Sequence, residues 1–97
     1  MSFIQATKTT KLKPNKPYLS WRKGKKMVVL AKKSNGQTKV IHFGDSSMED
    51  YLQHQDPVRR RNYLIRSAGI RDSKGRLTAN NVFSANYWSR RVLWRAR

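Results

Sequence analysis

The sequence contains no cysteine. Disulfide frameworks, zinc sites with cysteine ligands and thiol catalysis are therefore excluded. The two histidines, His42 and His54, with Asp56 are the remaining candidates for a metal site, and zinc requires three or four converging ligands. We therefore expect no metal and no cofactor.

Acidic residues are almost as scarce, since the chain has only five of them. A two-metal nuclease needs clustered carboxylates to hold its ions, and several of these acids precede expected helices, where they serve as caps. A phosphate-binding glycine loop and a Ser/His/Asp set are also missing. The sequence therefore predicts a protein that is not an enzyme, with no catalytic residues and no small-molecule substrate.

Long hydrophobic runs are missing as well. No apolar segment approaches the roughly 20 residues of a membrane span, and residues 1–6 contain no signal-peptide segment. Neither long helix of the expected fold pairs a broad apolar face with a purely basic one. We therefore expect no membrane association and an intracellular location.

Basic residues are what the chain has in excess. Lys and Arg total 22 against 5 Asp and Glu, a net charge of +17 on 97 residues. Charge of this size destabilises a compact monomer unless a negative partner neutralises it. Nucleic acid, DNA or RNA, is the commonest such partner, and an anionic membrane or an acidic protein surface comes next.

The two kinds of cation are separated along the chain. Residues 1–40 hold ten Lys and one Arg, whereas residues 41–97 hold one Lys, ten Arg and all five acids. Lysine is typical of diffuse electrostatic contact, and arginine favours fixed, bidentate contact with phosphate. We expect a lysine-rich surface that follows the phosphate backbone and arginines that grip it.

The predicted fold class is α+β. Residues 1–17 are expected to be an extended basic tail, disordered when free, because they lack apolar periodicity and contain two prolines. Residues 18–97 are expected to form a single small domain. Its predicted parts are an N-terminal antiparallel hairpin or three-stranded ribbon, packed by two or three C-terminal helices.

The strongest local signal is Asn35-Gly36 between the apolar runs 27–31 and 39–43, which predicts a hairpin with a two-residue turn. That turn would place Val28 opposite Phe43 and Leu30 opposite Ile41 on one face. It would also place Lys32 opposite Lys39, and His42 on the other face from Val28 and Leu30. A further strand is expected within residues 18–23, turning at Gly24.

Three helices are expected after the hairpin. Ser47 with Asp50 resembles a capping box, Asp56-Pro57 begins a second helix that ends near Ala68-Gly69, and Ser84 caps a last helix that runs to about Arg95. Residues 71–83 are expected to be mostly loop. The predicted core consists of Val28, Leu30, Ile41, Phe43, Ile65, Trp88 and Val92.

Helical periodicity assigns faces to the last two helices. On the second helix, a core face is expected to carry Val58, Leu64, Ile65 and Ala68, and an outer basic stripe Arg59, Tyr63 and Arg66. On the last helix, the inward stripe is Ala85, Trp88, Val92 and Ala96. Tyr87 and Trp94 lie on its opposite side, beside Arg90 and Arg91, where we favour packing against protein over base stacking.

These patterns give a set of expected nucleic-acid contacts and a set of aromatic residues that pack or face a partner. The expected contacts are Lys8, Lys11, Lys13, Lys16, Lys25, Lys26, Lys32, Lys39, Arg59, Arg60, Tyr63, Arg66, Arg90 and Arg91. The aromatic residues are Tyr87, Trp88 and Trp94.

Residues 39–94 carry a recognisable pattern. It runs from His42-Phe43-Gly44 through Asp50-Tyr51, His54 and Asp56 to an Arg-rich helix with Tyr63, and then to Tyr87-Trp88 and Leu93-Trp94. This pattern resembles a family of small basic proteins encoded by tailed phages and large DNA viruses of algae. Ser67 departs from it, because a histidine is expected there. The resemblance implies a viral origin, a compact sheet-plus-helix unit and a location in the virion or the infected cell, and it implies no activity.

Three functions therefore stay open. The first is a viral nucleic-acid-binding protein that grips the phosphate backbone without strong sequence specificity. The second is a minor virion structural protein, an internal capsid or cement component, whose basic arm docks on acidic neighbouring subunits. The third is a ribosome-associated RNA-binding protein.

Overall fold

A computed structural model describes residues 3–95. Three strands form an antiparallel sheet in the order β1-β2-β3, and helices follow it, which confirms the α+β class. The elements are β1 (Tyr18–Leu19), β2 (Lys25–Lys32), β3 (Thr38–Asp45), α1 (Tyr51–His54), α2 (Pro57–Ala68), a 3-10 turn (Thr78–Asn80) and α3 (Ala85–Val92). None of the helices within residues 3–95 has the length and apolar character needed to cross a membrane.

The N-terminal segment is attached to the sheet, so the extended basic tail is not what the structure shows. The backbone N–H of Ala6 donates to the carbonyl oxygen of Leu19 at 2.9 Å, and that of Asn15 donates to Leu30 at 2.8 Å. The segment also supplies apolar cover to the sheet. Ala6 and Leu12 pack with the buried Tyr18 and Val28. Backbone hydrogen bonds hold this segment to the sheet. Because backbone bonds do not depend on the type of side chain, the sequence of the segment shows no apolar periodicity.

The hairpin turn has three residues, so the prediction of a two-residue turn is wrong. The N–H of Lys33 donates to the carbonyl of Gln37 at 2.9 Å, and the N–H of Gly36 donates to the carbonyl of Lys33 at 3.0 Å. Gly36 has φ +93°. This is the three-residue loop that ends in a left-handed glycine.

The longer loop shifts the register by one residue, which turns every side chain of one strand to the other face. Met27 lies opposite Phe43, and Val28 lies opposite His42. Val28 and Leu30 therefore do not share a face with Ile41 and Phe43, and His42 lies on the same face as Val28. Leu30 pairs with Val40 instead of Ile41, and Lys32 pairs with Thr38 instead of Lys39, which lies opposite Ala31.

Both faces of the sheet are buried, although by different parts of the chain. The helices cover the face whose core consists of Met27, Val29, Ala31, Ile41, Phe43, Trp88 and Leu93. The N-terminal segment covers the face with Tyr18 and Val28. Val92, predicted in the core, is only partly buried at its edge.

Two of the three predicted helix starts are confirmed. The Asp56 carboxylate accepts hydrogen bonds from the N–H groups of Val58 and Arg59, Pro57 occupies the first turn, and α2 ends at Ala68 with Gly69 as its C-cap. The Ser84 hydroxyl caps α3 by accepting from Asn86 N–H.

The first helix begins later than predicted. Its N-cap is Asp50, which forms a capping box with Gln53. The Ser47 hydroxyl donates instead to the Asp45 carboxylate at 2.7 Å. Because Asp45 ends β3, Ser47 belongs to the turn that leaves the sheet.

Helix α2 is turned about its axis relative to the predicted orientation, although Arg59 and Arg66 are exposed and Leu64 is half-buried, as predicted. Val58 is 65% exposed and Ile65 is 64% exposed, and Ala68 is also exposed. The inward face carries Ser67, which is buried, and the half-buried Tyr63. The predicted core position of Ile65 is therefore wrong.

Helix α3 is shorter than predicted. It ends at Val92, because the N–H groups of Leu93 and Trp94 both donate to the carbonyl of Ser89. Trp88 lies in the core with 7% of its surface exposed. Ala85 is exposed rather than inward-facing, and Ala96 lies outside the described residues.

Candidate nucleic-acid interface

A broad concave surface, which we call the hairpin groove, lies between the hairpin loop and residues 71–83. Its volume is about 1070 Å³. Five cations line it, and no carboxylate of residues 3–95 does. The cations are Lys32, Lys33, Lys39, Arg71 and Arg76.

A small turn positions the arginines of this groove. The Asp72 carboxylate accepts hydrogen bonds from the N–H groups of Lys74 and Arg76 and also contacts the Arg76 guanidinium at 3.2 Å. The backbone N–H of Arg76 is the largest cause that holds the pKa of Asp72 below its usual value. Arg71 donates to the carbonyl of Gly75 at 2.7 Å. The turn therefore holds Arg71 and Arg76 close together, and Arg76 balances the negative charge of Asp72.

Two aromatic rings of the hairpin groove carry cations on their faces. The Lys33 ammonium lies 4.5 Å from the Phe83 ring centre, and the Arg91 guanidinium lies 3.7 Å from that of Tyr87. Cation–π contacts of this kind fix a flexible side chain in place. The groove thus combines positive charge with two half-buried aromatic rings.

A second concave surface, the N-terminal groove, has a volume of about 850 Å³. Lys8, Lys11 and Arg22 supply its charge, and no carboxylate of the described chain lines it. Trp21 packs against His42 edge to face, with ring centres 4.8 Å apart.

His42 also lies in the N-terminal groove, where its Nδ1 is 2.8 Å from the Ser20 hydroxyl. Burial, and then the charges of Arg22 and Lys25, lower the pKa of His42. Phe83 lines both this groove and the hairpin groove, so the two meet at its ring.

A third and smaller depression, the α2 groove, has a volume of about 440 Å³ and contains the predicted stripe Arg59, Tyr63 and Arg66. Asp45 and Asp50 line it too, so its charge is mixed. Tyr63 stacks on Trp94 with ring centres 4.0 Å apart and planes 10° apart. Burial raises the pKa of Tyr63. The tyrosine ring is therefore part of the packing rather than a free stacking surface.

The predicted lysines are spread over several places. Lys32 and Lys39 lie in the hairpin groove, and Lys8 and Lys11 lie in the N-terminal groove. Lys26 is paired with Asp50 at 2.6 Å. Three others are exposed outside all three grooves: Lys13, Lys16, which lies 5.6 Å from the Tyr18 ring centre, and Lys25, which lies opposite Asp45.

Three predicted arginines have internal partners. Arg60 Nε donates to the carbonyl of Trp94 at 2.7 Å. Arg90 Nη1 donates at 2.6 Å to both the Leu64 carbonyl and the Ser67 hydroxyl. Arg91, besides its contact with the Tyr87 ring, donates to the carbonyl of Ala79 at 3.2 Å. Arg60 therefore joins α2 to Trp94, Arg90 joins α3 to α2, and Arg91 joins α3 to the 3-10 turn.

Sequence reasoning missed several residues of the two basic grooves. They are Trp21, Arg22, Lys33, Arg71, Arg76 and Phe83. The Asp72-Ser73-Lys74-Gly75 turn is a signal that could have identified Arg71 and Arg76, because it holds them close together. No local signal in the sequence marks Phe83, because tertiary packing alone brings its ring to the hairpin.

The described residues contain no group of three or more His, Asp or Glu side chains arranged to hold a metal ion. No curated protein and no solved structure matches the chain. A family model does match, over residues 16–67, which is more than half of the 97 residues and includes all three strands and most of α2. The chain therefore belongs to the family of unknown function DUF5754.

Proposed function

We propose that this protein binds nucleic acid through the phosphate backbone, without strong sequence specificity. The observation that carries the proposal is the hairpin groove, which five cations line and no carboxylate of residues 3–95 lines; of the five, Arg76 is paired with Asp72 beside the groove. Contacts from lysine and arginine to phosphate position a protein on nucleic acid but do not read its sequence. The resemblance of residues 39–94 to viral proteins supports a role in the virion or the infected cell.

The use of the acids supports the same proposal. Within residues 3–95 the ion pairs are Lys26 with Asp50 and Arg76 with Asp72. Asp56 caps α2, and Asp45 accepts from Ser47. Most of the charge of +17 therefore has no internal counter-charge, and a polyanion would remove the self-repulsion.

Fluorescence anisotropy at several salt concentrations tests the proposal. Labelled duplex DNA, oligo(dT) and oligo(U), each of about 20 nucleotides, serve as ligands. Five phosphate contacts on a duplex predict an affinity loss of roughly 500-fold between 50 and 200 mM salt. Absence of binding, or a flat salt dependence, contradicts the proposal. A preference for RNA would favour the ribosome-associated alternative.

A pair of charge-matched variants locates the interface. Replacing Lys32, Lys33 and Lys39 together by Gln should reduce the slope of log affinity against log salt by about 2 to 3. The control replaces Lys23, Arg61 and Arg95 by Gln, which removes the same charge from exposed positions outside both basic grooves. Equal losses in the two variants would show that net charge, and not the groove, determines binding.

A second candidate function, docking on acidic protein in a viral assembly, is favoured by α2. Its outer face exposes Val58 and Ile65 beside Arg61, and apolar residues flanked by arginine fit an acidic protein surface better than they fit phosphate. The test is the amount of the protein in purified particles that lack nucleic acid. A fixed stoichiometry that Ile65→Asp abolishes would support docking, and absence from the particles would exclude it.

A further inference from the structure

We infer that the nucleic acid bound by this protein is single-stranded, with a base stacked on Trp21 while its phosphates follow the two basic grooves. The inference rests on the proposed function and names its substrate class. It depends on the Trp21 ring, whereas the proposed function depends on the charges of the grooves.

Trp21 is the first reason. It is 38% exposed, whereas Trp88 is 7% exposed and Trp94 is stacked on Tyr63. An exposed indole in a basic groove offers a base a surface on which to stack. A duplex keeps its base faces stacked inside, so the ring gains little from duplex DNA, but an unpaired base can stack on it.

The charges along the two grooves are the second reason. Lys8, Lys11 and Arg22 line the N-terminal groove together with Trp21, and Phe83 lines both this groove and the hairpin groove. The five cations of the hairpin groove therefore adjoin the surface that contains Trp21. Basic residues that follow the backbone, together with a ring on which a base can stack, are the arrangement that single-strand binders use.

The support of the Trp21 ring is the third reason. The ring packs edge to face against His42, whose Nδ1 lies 2.8 Å from the Ser20 hydroxyl. The ring is therefore held in place before a ligand arrives, so that stacking requires little further ordering of side chains. Stacking is tolerant of sequence because every base has an aromatic face, which agrees with binding that lacks strong sequence specificity.

The experiment compares wild-type protein with Trp21→Ala and Trp21→Phe. Oligo(dT) and oligo(U) of about 20 nucleotides and a duplex of the same length are titrated at one salt concentration. We expect both single strands to bind more tightly than the duplex. Trp21→Ala should weaken single-strand binding roughly 5- to 100-fold, with less than about a twofold effect on the duplex, and Trp21→Phe should retain most of the affinity.

Intrinsic fluorescence supplies an independent readout. Oligo(dT) should quench the tryptophan emission of the wild type, and Trp21→Phe should lose that quenching while its anisotropy change persists. Equal affinity for duplex and single strands, with equal losses in Trp21→Ala, would overturn the inference and leave the proposed function intact. Failure of all three ligands to bind would overturn both.

Discussion

The lysines of the sheet half and the arginines of the helical half carry the same charge but meet different neighbours. Of the ten lysines in residues 1–40, Lys26 has an acidic partner, and most of the others are exposed. In the helical half, Arg60 and Arg90 donate to backbone carbonyls, and Arg91 packs on an aromatic ring. The planar guanidinium with five donors can join several acceptors, whereas the ammonium is strongly hydrated.

This difference divides the work between the two halves. The sequence predicts that the arginines grip phosphate, but three of them bond within the helical half. Arg90 joins α3 to α2, Arg60 joins α2 to Trp94, and Arg91 joins α3 to the 3-10 turn. The lysines leave most of their charge available to a ligand. Removing an internal arginine should therefore affect stability most, and removing an exposed cation should affect binding most.

The largest expected effect is that of Arg90→Ala on stability. The substitution leaves the Leu64 carbonyl and the buried Ser67 hydroxyl without the donor that now lies 2.6 Å from each. Hydrogen bonds from a charged donor contribute about 1.5–3 kcal/mol each, so we expect a loss of roughly 2–4 kcal/mol in the free energy of unfolding. Urea denaturation followed by circular dichroism measures it.

Arg61→Ala is the matched control for this prediction. Arg61 also lies on α2, but it is exposed and has no ion pair within residues 3–95. Its replacement should change the free energy of unfolding by no more than about 0.5 kcal/mol. If the two variants unfold at the same urea concentration, the arginines of the helical half are not structural.

The next largest effect is expected where the two halves touch. Gly44 in β3 has φ +80°, and a Cβ there would lie 2.6 Å from Leu93 Cδ1 and 3.2 Å from Lys26 Cβ. Gly44→Ala therefore combines left-handed strain of about 1–2 kcal/mol with displacement of a buried leucine. We expect a loss of roughly 2–3 kcal/mol, measured by the same denaturation.

Gly36→Ala separates strain from crowding. Gly36 has φ +93° in the hairpin loop, and an added Cβ would meet nothing within 4 Å. It should lose only the strain, about 1 kcal/mol. A loss in Gly36→Ala as large as that in Gly44→Ala would mean that Leu93 moves aside at little cost.

The fold class and most element positions could be predicted from the sequence, because local signals determine them. Asp56-Pro57, Gly69 and Ser84 act on their own helix ends. The register could not be predicted, because residues 27–31 are apolar throughout and give no alternation. Both faces of β2 are buried, one by the helices and one by the N-terminal segment, so either register satisfies the hydrophobic pattern.

The orientation of α2 could not be predicted for a related reason. The apolar residues Val58 and Ile65 predict that their side of the helix faces the core, but Tyr63 and Ser67 face it instead, with Trp94 and Arg90 as their partners. Hydrogen bonds from arginine and one aromatic stack replace aliphatic packing there. The candidate site was only partly predictable for the same reason, since Phe83 and Trp21 reach the grooves through tertiary packing alone.

A pair of isoleucine substitutions tests the orientation of α2, and a small change in stability is expected for the exposed member of the pair, Ile65. Ile65→Ala should change the free energy of unfolding by no more than about 0.5 kcal/mol, because the side chain is exposed. Ile41→Ala should lose roughly 2–4 kcal/mol, because Ile41 belongs to the core. A loss above about 2 kcal/mol in Ile65→Ala would show that α2 packs in the orientation predicted from its sequence.

The smallest expected effect concerns the protonation of His42, on which the exposed cations Arg22 and Lys25 of the sheet half act. Burial first, and then Arg22 and Lys25, lower the pKa of His42 in the folded protein below its ordinary value of 6.5. The unfolded chain therefore binds this proton more readily. The contribution of His42 to stability is complete above pH 6.5 and declines as the pH falls through the folded-state pKa.

Thermal unfolding at pH 7.5 and pH 5 measures this decline in the wild type and in His42→Gln. Asp45 and Asp72 do not titrate in this interval, because the pKa of each lies below 3.8. We expect the melting temperature of the wild type to fall more than that of His42→Gln, by a margin on the order of 1 °C. Neutralising the nearby charge should abolish part of the margin, so Arg22→Gln should fall between them. If His42→Gln loses as much as the wild type, the protonation that destabilises the fold occurs elsewhere, and the cations around the N-terminal groove do not act on His42.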